Sequence, residues 1–161
     1  MPDRLKISLK RNPAMVVSKV AIGDEKLVYV ACASRKLRYP KGNSPVVYIG
    51  TTKKGAERLF SSAAYRADDI LNIHAVDSFE VRVITCRPRQ NVKTWLRLER
   101  AMLVAFKERY GDIPRCNVHG AGMTEDGVFD LFARSRVMAI LEGLEESGEA
   151  EGRPVTADGK G

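Results

Sequence analysis

No apolar run in the 161 residues approaches the roughly 18 that a membrane-spanning helix needs. Cysteine is scarce: Cys32, Cys86 and Cys116 are odd in number and far apart, which argues against a disulfide framework and against a zinc knuckle. Histidine is scarcer still, with His74 and His119 alone, so a Cys/His zinc site is not expected. Free thiols in a reducing compartment are the simpler expectation. Residues 1–11 are basic, but no apolar stretch follows of the kind a secretory signal carries, and a cytoplasmic protein is expected. There is no internal repeat, and no zinc finger or helix-turn-helix pattern.

What is present suffices for one domain. The chain is 44% hydrophobic, enough to bury a core. The formal charge is +7, unevenly spread: from Glu145 onward there are five acids and two bases, which leaves +10 on the rest. A basic body with an acidic tail points to a polyanionic partner, nucleic acid being the simplest, and not to a membrane.

Leu5, Ile7 and Leu9 alternate with polar residues, as in a short strand. Asn12-Pro13 has the form of a helix start, so residues 14–21 form either a short helix or an extended part of an arm over residues 1–25. Residues 26–34 and 45–50 are rich in β-formers and predict two strands. The connection over 35–44 is basic and turn-rich, suited to a long hairpin. Its cations either grip a phosphate backbone or are simply solvated.

Residues 55–71 predict a helix with an apolar stripe of Ala56, Leu59, Phe60, Ala63, Ala64, Ala67, Ile70 and Leu71. Arg58, Ser62 and Tyr65 share another face. A third strand over 78–85 and a second helix over 92–109 follow, the latter ended by Gly111 and Pro114. A third helix is expected over 124–144, with Thr124 as N-cap and Glu125 and Asp126 at its positive end. Its Val128, Leu131, Phe132, Met138 and Leu141 would cover the core. Beyond it, residues 145–161 have the composition of a frayed acidic tail. The order ββαβαα implies an α/β (α+β) sandwich: a small antiparallel or mixed three-stranded sheet flanked by helices, in a domain over 26–120, with the C-terminal helix within 121–144 packed on it.

Glu99 stands out within this frame. Its same-face neighbours on a helix are Trp95, Leu96, Met102, Leu103 and Phe106, so a carboxylate interrupts an apolar stripe. Burying it is costly unless a proton or cation compensates. A metal ion would do so, and so would an arginine such as Arg58. Tyr29 and Tyr48 lie mid-strand in adjacent strands, where a hairpin can bring both onto one face, as ordinary sheet packing also would.

Tyr29 stands in the triplet Leu27-Val28-Tyr29 or Val28-Tyr29-Val30, and Tyr48-Ile49-Gly50 follows on the next strand. Arg58 lies ten residues after Tyr48, Glu99 within Leu98-Glu99-Arg100-Ala101-Met102-Leu103, and Asn117 after the turn at Pro114. In type, order and element these residues resemble the GIY-YIG nuclease superfamily over residues 27–117. The resemblance departs at Leu27, where the family has glycine, and in the nineteen-residue interval between the tyrosines. It departs again at Ser62, where a histidine or tyrosine is common; Tyr65, one turn on, could reach inward as a substitute, and His74 is another candidate.

The resemblance implies hydrolysis of DNA phosphodiester bonds with Mg²⁺ or Mn²⁺ held by Glu99, which fits an oxygen-ligated ion that keeps most of its water. Arg58 would pair with the phosphate, and Tyr29, helped by Tyr48, would orient or deprotonate the attacking water. Asn117 would hold loop backbone or substrate, and Tyr65 would complete the catalytic set. Gly50, Lys53, Lys54, Arg35, Lys36, Arg38 and His119 are the candidates for substrate contact. The same fold kept for DNA binding or protein assembly without catalysis is the alternative, and a basic regulatory protein with chance matches is a third. A homo-oligomer or a protein partner stays open.

Overall fold

The computed structural model describes residues 3–21, 23–120 and 126–146. It is an α+β fold with one three-stranded antiparallel sheet and three helices. The β-branched and aromatic runs pair as an antiparallel hairpin of β1 (Leu27–Tyr39) and β2 (Gly42–Thr52). Tyr39 pairs with Gly42, so the turn is only Pro40 and Lys41. The basic connection expected as a loop is therefore strand. Its composition reads as turn, yet Leu37, Tyr39 and Ser44 are buried while Arg35 and Arg38 are exposed, the alternation of a strand with one covered face.

The hairpin tip is long because α2 (Thr94–Tyr110) receives it. Tyr39 meets Phe106 edge-on at 5.1 Å, and Phe106 meets Tyr110 at 4.5 Å between ring centres. The Tyr39 hydroxyl donates to the Val46 carbonyl at 2.7 Å and accepts from the Arg115 N–H at 3.1 Å. Gly111 ends α2 in the left-handed conformation, φ +88°, and its N–H donates to the Lys107 carbonyl. The Lys41 N–H donates to the Tyr110 carbonyl at 2.9 Å, fastening the tip to the helix end.

After β2 the chain enters α1 (Gly55–Leu71) and returns through β3 (Phe79–Ile84), which pairs antiparallel with β1 to give the order β2-β1-β3. Alternation along β1 sorts the core. Val28, Val30 and Cys32 join Ala101 to Phe106 of α2 in the larger cluster, whereas Leu27 and Tyr29 join Leu59 of α1 in a smaller one. Each fully buried Val, Leu, Ile, Phe or Met contributes about 1.5–3 kcal/mol, so the α2 side carries most of the stability. Of the α1 stripe only Leu59 and Ile70 are fully buried, and Ala64 and Leu71 are exposed.

Two expectations are corrected. Among its described residues the arm forms neither the strand at Leu5–Leu9 nor an α-helix, leaving the alternative of a non-helical arm: it is irregular apart from a 3-10 turn at Lys19–Ala21, with Leu5, Ile7 and Leu9 all more than 90% exposed. Without a neighbour to pair with, alternation alone does not make a strand. The third helix, α3, spans Arg134–Glu145 and starts ten residues later than expected. Gly127 turns the chain at φ +68°, and residues 126–132 are turns and bends, so Val128 enters the core from a turn. Thr124 and Glu125 lie outside the described residues. Glu145, assigned to the tail, is the last residue of α3, held by Arg109 and the Tyr110 hydroxyl. No helix among the described residues is long and apolar enough to cross a membrane.

A Cβ at Gly111 would stand 2.9 Å from the Pro40 side chain and would force a residue with a side chain into positive φ. Gly111→Ala is expected to lower the urea midpoint by about 1–3 kcal/mol of stability without changing the denaturant slope.

Candidate active site

The register of the hairpin assembles a tyrosine pair. Tyr29 lies directly opposite Gly50, and Tyr48 precedes Gly50 by two residues, so all three share one face. The rings lie 5.7 Å apart, tilted by 38°. Gly50 makes room for both: a Cβ there would stand 2.7 Å from Tyr48 Cε1 and 2.8 Å from Tyr29 Cζ and its hydroxyl. The glycine of the Tyr48-Ile49-Gly50 triplet thus serves the approach of two rings.

Tyr29 is buried, 4% exposed, with Ser62 and Tyr48 as hydrogen-bond partners. Burial pushes its hydroxyl up to about 12; the bond to Ser62 acts against this, Tyr48 adds to it, and the Arg66 charge is the weakest opposing influence. Ser62 therefore occupies the position where a histidine or tyrosine was anticipated. Tyr65 is not the substitute: it is 77% exposed and stands outside the cluster, because the Ser62–Tyr29 contact already fills the inward position.

Asn117 is a clamp. The Ile49 N–H donates to its Oδ1 at 3.0 Å, and its Nδ2 donates to the Ile49 carbonyl at 2.9 Å. The Cys116 N–H donates to the Val47 carbonyl at 2.8 Å. Val47 and Ile49 turn their main-chain groups to the outer edge of β2, and antiparallel geometry makes Thr51 the next outward residue. No backbone hydrogen bond among the described residues uses that position. Among the described residues, the outer edge of β2 is thus covered at Val47 and Ile49 and not at Thr51.

Glu99 comes to this opening. It lies on α2, half-buried, with Thr51 as its hydrogen-bond partner, and makes no ion pair among the described residues. Burial holds its carboxyl above the usual carboxylate range, only partly relieved by Thr51. Consecutive strand residues face opposite ways, so Thr51, with Glu99 bonded to it, lies on the face of β2 opposite to Tyr29, Tyr48 and Gly50, and the sheet stands between the carboxylate and the tyrosine pair. Arg58 does not neutralise Glu99: it is exposed on the first turns of α1. One half-buried carboxylate without a cation fits a Mg²⁺ ion that keeps its water shell and shares a ligand with substrate. Among the described residues no group of three His, Cys, Asp or Glu side chains forms a protein cage for a metal.

Lys53 and Lys54 are exposed at the start of α1, just past the opening. Arg35, Lys36 and Arg38 are elsewhere. Nine strand residues separate Tyr29 from Arg38, roughly 30 Å along β1. Lys36 lines a cavity of about 390 Å³ at the hairpin tip with Lys41, Asn43, Arg109, Tyr110 and Glu145. His74 and His119 are exposed.

Sequence reasoning missed Arg66. Its guanidinium carbon lies 4.4 Å from the centre of the Tyr48 ring and 5.3 Å from that of Tyr65, and Nη2 donates to the Tyr48 hydroxyl at 3.4 Å. The signal was available: Arg58, Ser62 and Arg66 recur every four residues on one helix face.

Asn117→Ala leaves both Ile49 groups without their partner and is expected to cost about 1–3 kcal/mol in chemical denaturation. Glu99 supplies a test with a defined sign. Its folded value lies above the unfolded one, so between them the folded chain binds the extra proton. The ionised carboxylate then lowers stability at neutral pH, and the loss disappears as pH falls. In EDTA at neutral pH, Glu99→Gln should melt at or above the native temperature. Excess Mg²⁺ should raise the native midpoint by about 2–4 °C per kcal/mol of binding and leave Glu99→Gln unmoved. No family model, curated protein or solved structure matches the chain, and the site is defined by its own geometry.

Proposed function

We propose that the protein is a metal-dependent endonuclease that hydrolyses DNA phosphodiester bonds, with a domain of the GIY-YIG class. The observation that carries this reading is the tyrosine pair packed over Gly50 on one face of β2, with a half-buried carboxylate, unpaired among the described residues, bonded to Thr51 on the other. The element order supports it. Tyr29 and Tyr48 stand on the first two strands, Arg58 on the following helix, Glu99 on the next helix and Asn117 beyond it. The +10 charge outside the tail suits a nucleic-acid ligand.

Hydrolysis forms a bond between water oxygen and phosphorus and breaks the bond to the 3′ oxygen, which leaves with a proton. Glu99 would hold Mg²⁺ or Mn²⁺ through a carboxylate oxygen, and the ion when bound supplies charge stabilisation to the phosphate and the leaving oxygen. Arg58, exposed at the start of α1, is free to extend onto the phosphate, with Lys53 and Lys54 adding positive charge beside it. Tyr29 stays protonated far above neutral pH, so it orients the water by hydrogen bonding and does not take its proton. Tyr48 and Ser62 fix the direction of that hydroxyl. Asn117 holds Ile49, and through it the strand that presents Gly50 and Thr51.

The second reading is the same fold used to bind DNA or assemble with protein without cleaving. The elevated Tyr29 value and the solvent-exposed Arg58 favour it. A plasmid and branched-DNA assay with Mg²⁺ or Mn²⁺ separates the two. Native protein is expected to nick or cut, and Glu99→Ala to lose at least about 10²-fold in rate. Tyr29→Phe should lose about 10²-fold, while Tyr65→Phe stays near native. Native protein that binds DNA but never cuts it would establish the binding module instead.

A further inference from the structure

Arg66 has the features of a phosphate contact held ready. Its faces are occupied by the Tyr48 and Tyr65 rings, at 4.4 and 5.3 Å. Among the described residues its edges are nearly idle. A guanidinium carries five N–H donors; here Nη2 makes a long bond of 3.4 Å to the Tyr48 hydroxyl, and Nη1 stands 4.0 Å from Asp69 Oδ2. That carboxylate is 63% exposed, so it neither discharges nor saturates the arginine. The side chain is nonetheless 23% exposed and fixed in place. An arginine ordered by stacking, with its fork unspent, has already lost the rotamer freedom that binding would cost. Planar donors in this state match the paired oxygens of a phosphate.

Its place fits the same chemistry. Arg58, Ser62 and Arg66 form a stripe along α1, and Ser62 bonds the Tyr29 hydroxyl midway. Arg58 and Arg66 are about 12 Å apart along the helix axis, too far for one phosphate to serve both. This also accounts for Tyr65, which lies outside the packed cluster but forms the outer wall of the Arg66 stack.

We propose that Arg66, stacked between Tyr48 and Tyr65, binds a DNA backbone phosphate on the face of the sheet that carries the tyrosine pair; this rests on the reading of the ligand as DNA. Neutralising one phosphate contact changes the salt dependence of binding by a known amount. Affinity for a fluorescein-labelled duplex, followed by anisotropy in EDTA between about 50 and 200 mM salt, should give a slope smaller by about 0.9 in Arg66→Gln than in native protein. Glutamine keeps a donor for the Tyr48 hydroxyl, and Arg66→Lys, which keeps the charge, should recover the native slope. A purely structural role would affect Gln and Lys alike. Arg82→Gln, on the far strand, should leave the slope unchanged. A native slope in Arg66→Gln overturns the proposal, as does failure of native protein to bind the duplex. The two readings fail separately. Native protein that binds the duplex without cutting it, with a reduced slope in Arg66→Gln, removes the hydrolase and leaves Arg66 as a DNA contact; cleavage lost in Glu99→Gln with a full slope in Arg66→Gln removes Arg66 alone.

Discussion

The missing Cβ at Gly50 lets two tyrosine rings lie over the same point of the hairpin, and the antiparallel register of β1 with β2 directs them there. Tyr29 is opposite Gly50, and Tyr48 is two residues before it. A slip of one residue would send the rings to opposite faces. The register is secured at the other end, where Pro40 and Lys41 turn the hairpin and the Lys41 N–H caps the α2 carboxyl end. Between the tip and the tyrosine pair the register shifts twice, at Ala31/Cys32 and Cys32/Leu37, so the aromatic stack of Tyr39, Phe106 and Tyr110 anchors the tip while the pairing of residues 27–31 with 48–52 sets which side chains face each other at the base.

The outer edge of β2 is the second element of the design. A bare edge invites pairing with another chain. Here the Cys116 main chain and the Asn117 amide cover it in the manner of a short strand, donor and acceptor both returned to Ile49. The cover stops one step before Thr51. The protection of the edge and the exposure of the site are thus one boundary, set by where the chain leaves β2 after the turn at Pro114.

Much of this was legible in the sequence, and what was not has physical causes. The bounds of α1, the pairing of the two tyrosines and the half-buried position of Glu99 follow from periodicity and from side-chain type. The hairpin tip did not follow, because residues 35–44 carry turn-like composition and only the docking of Leu37 and Tyr39 on α2 makes them strand. The start of α3 did not follow either, because apolar spacing runs on through Gly127, where the chain turns at positive φ. Nor did the contact of Ser62 with Tyr29, which only the packing of α1 on β1 reveals. The four-residue spacing of Arg58, Ser62 and Arg66 is in the sequence, but the stack of Arg66 on Tyr48 joins two elements and lies beyond any local window.

In the proposed reading, Glu99 would join stability to function. Desolvation without a cation makes its carboxylate costly in the folded state, and Thr51 compensates only in part. A fold selected for stability alone would place an apolar side chain among Leu98, Ala101, Met102 and Leu103. An ion that balances the carboxylate would stabilise the native chain as it binds, so the free-energy penalty of the apo site becomes part of the affinity for metal. On the other face of the sheet, burial against Leu59 of α1 holds the Tyr29 phenol protonated, and the rings of Tyr48 and Tyr65 hold Arg66. Desolvation therefore acts on the two faces separately, opposing ionisation of the carboxylate on one and of the phenol on the other.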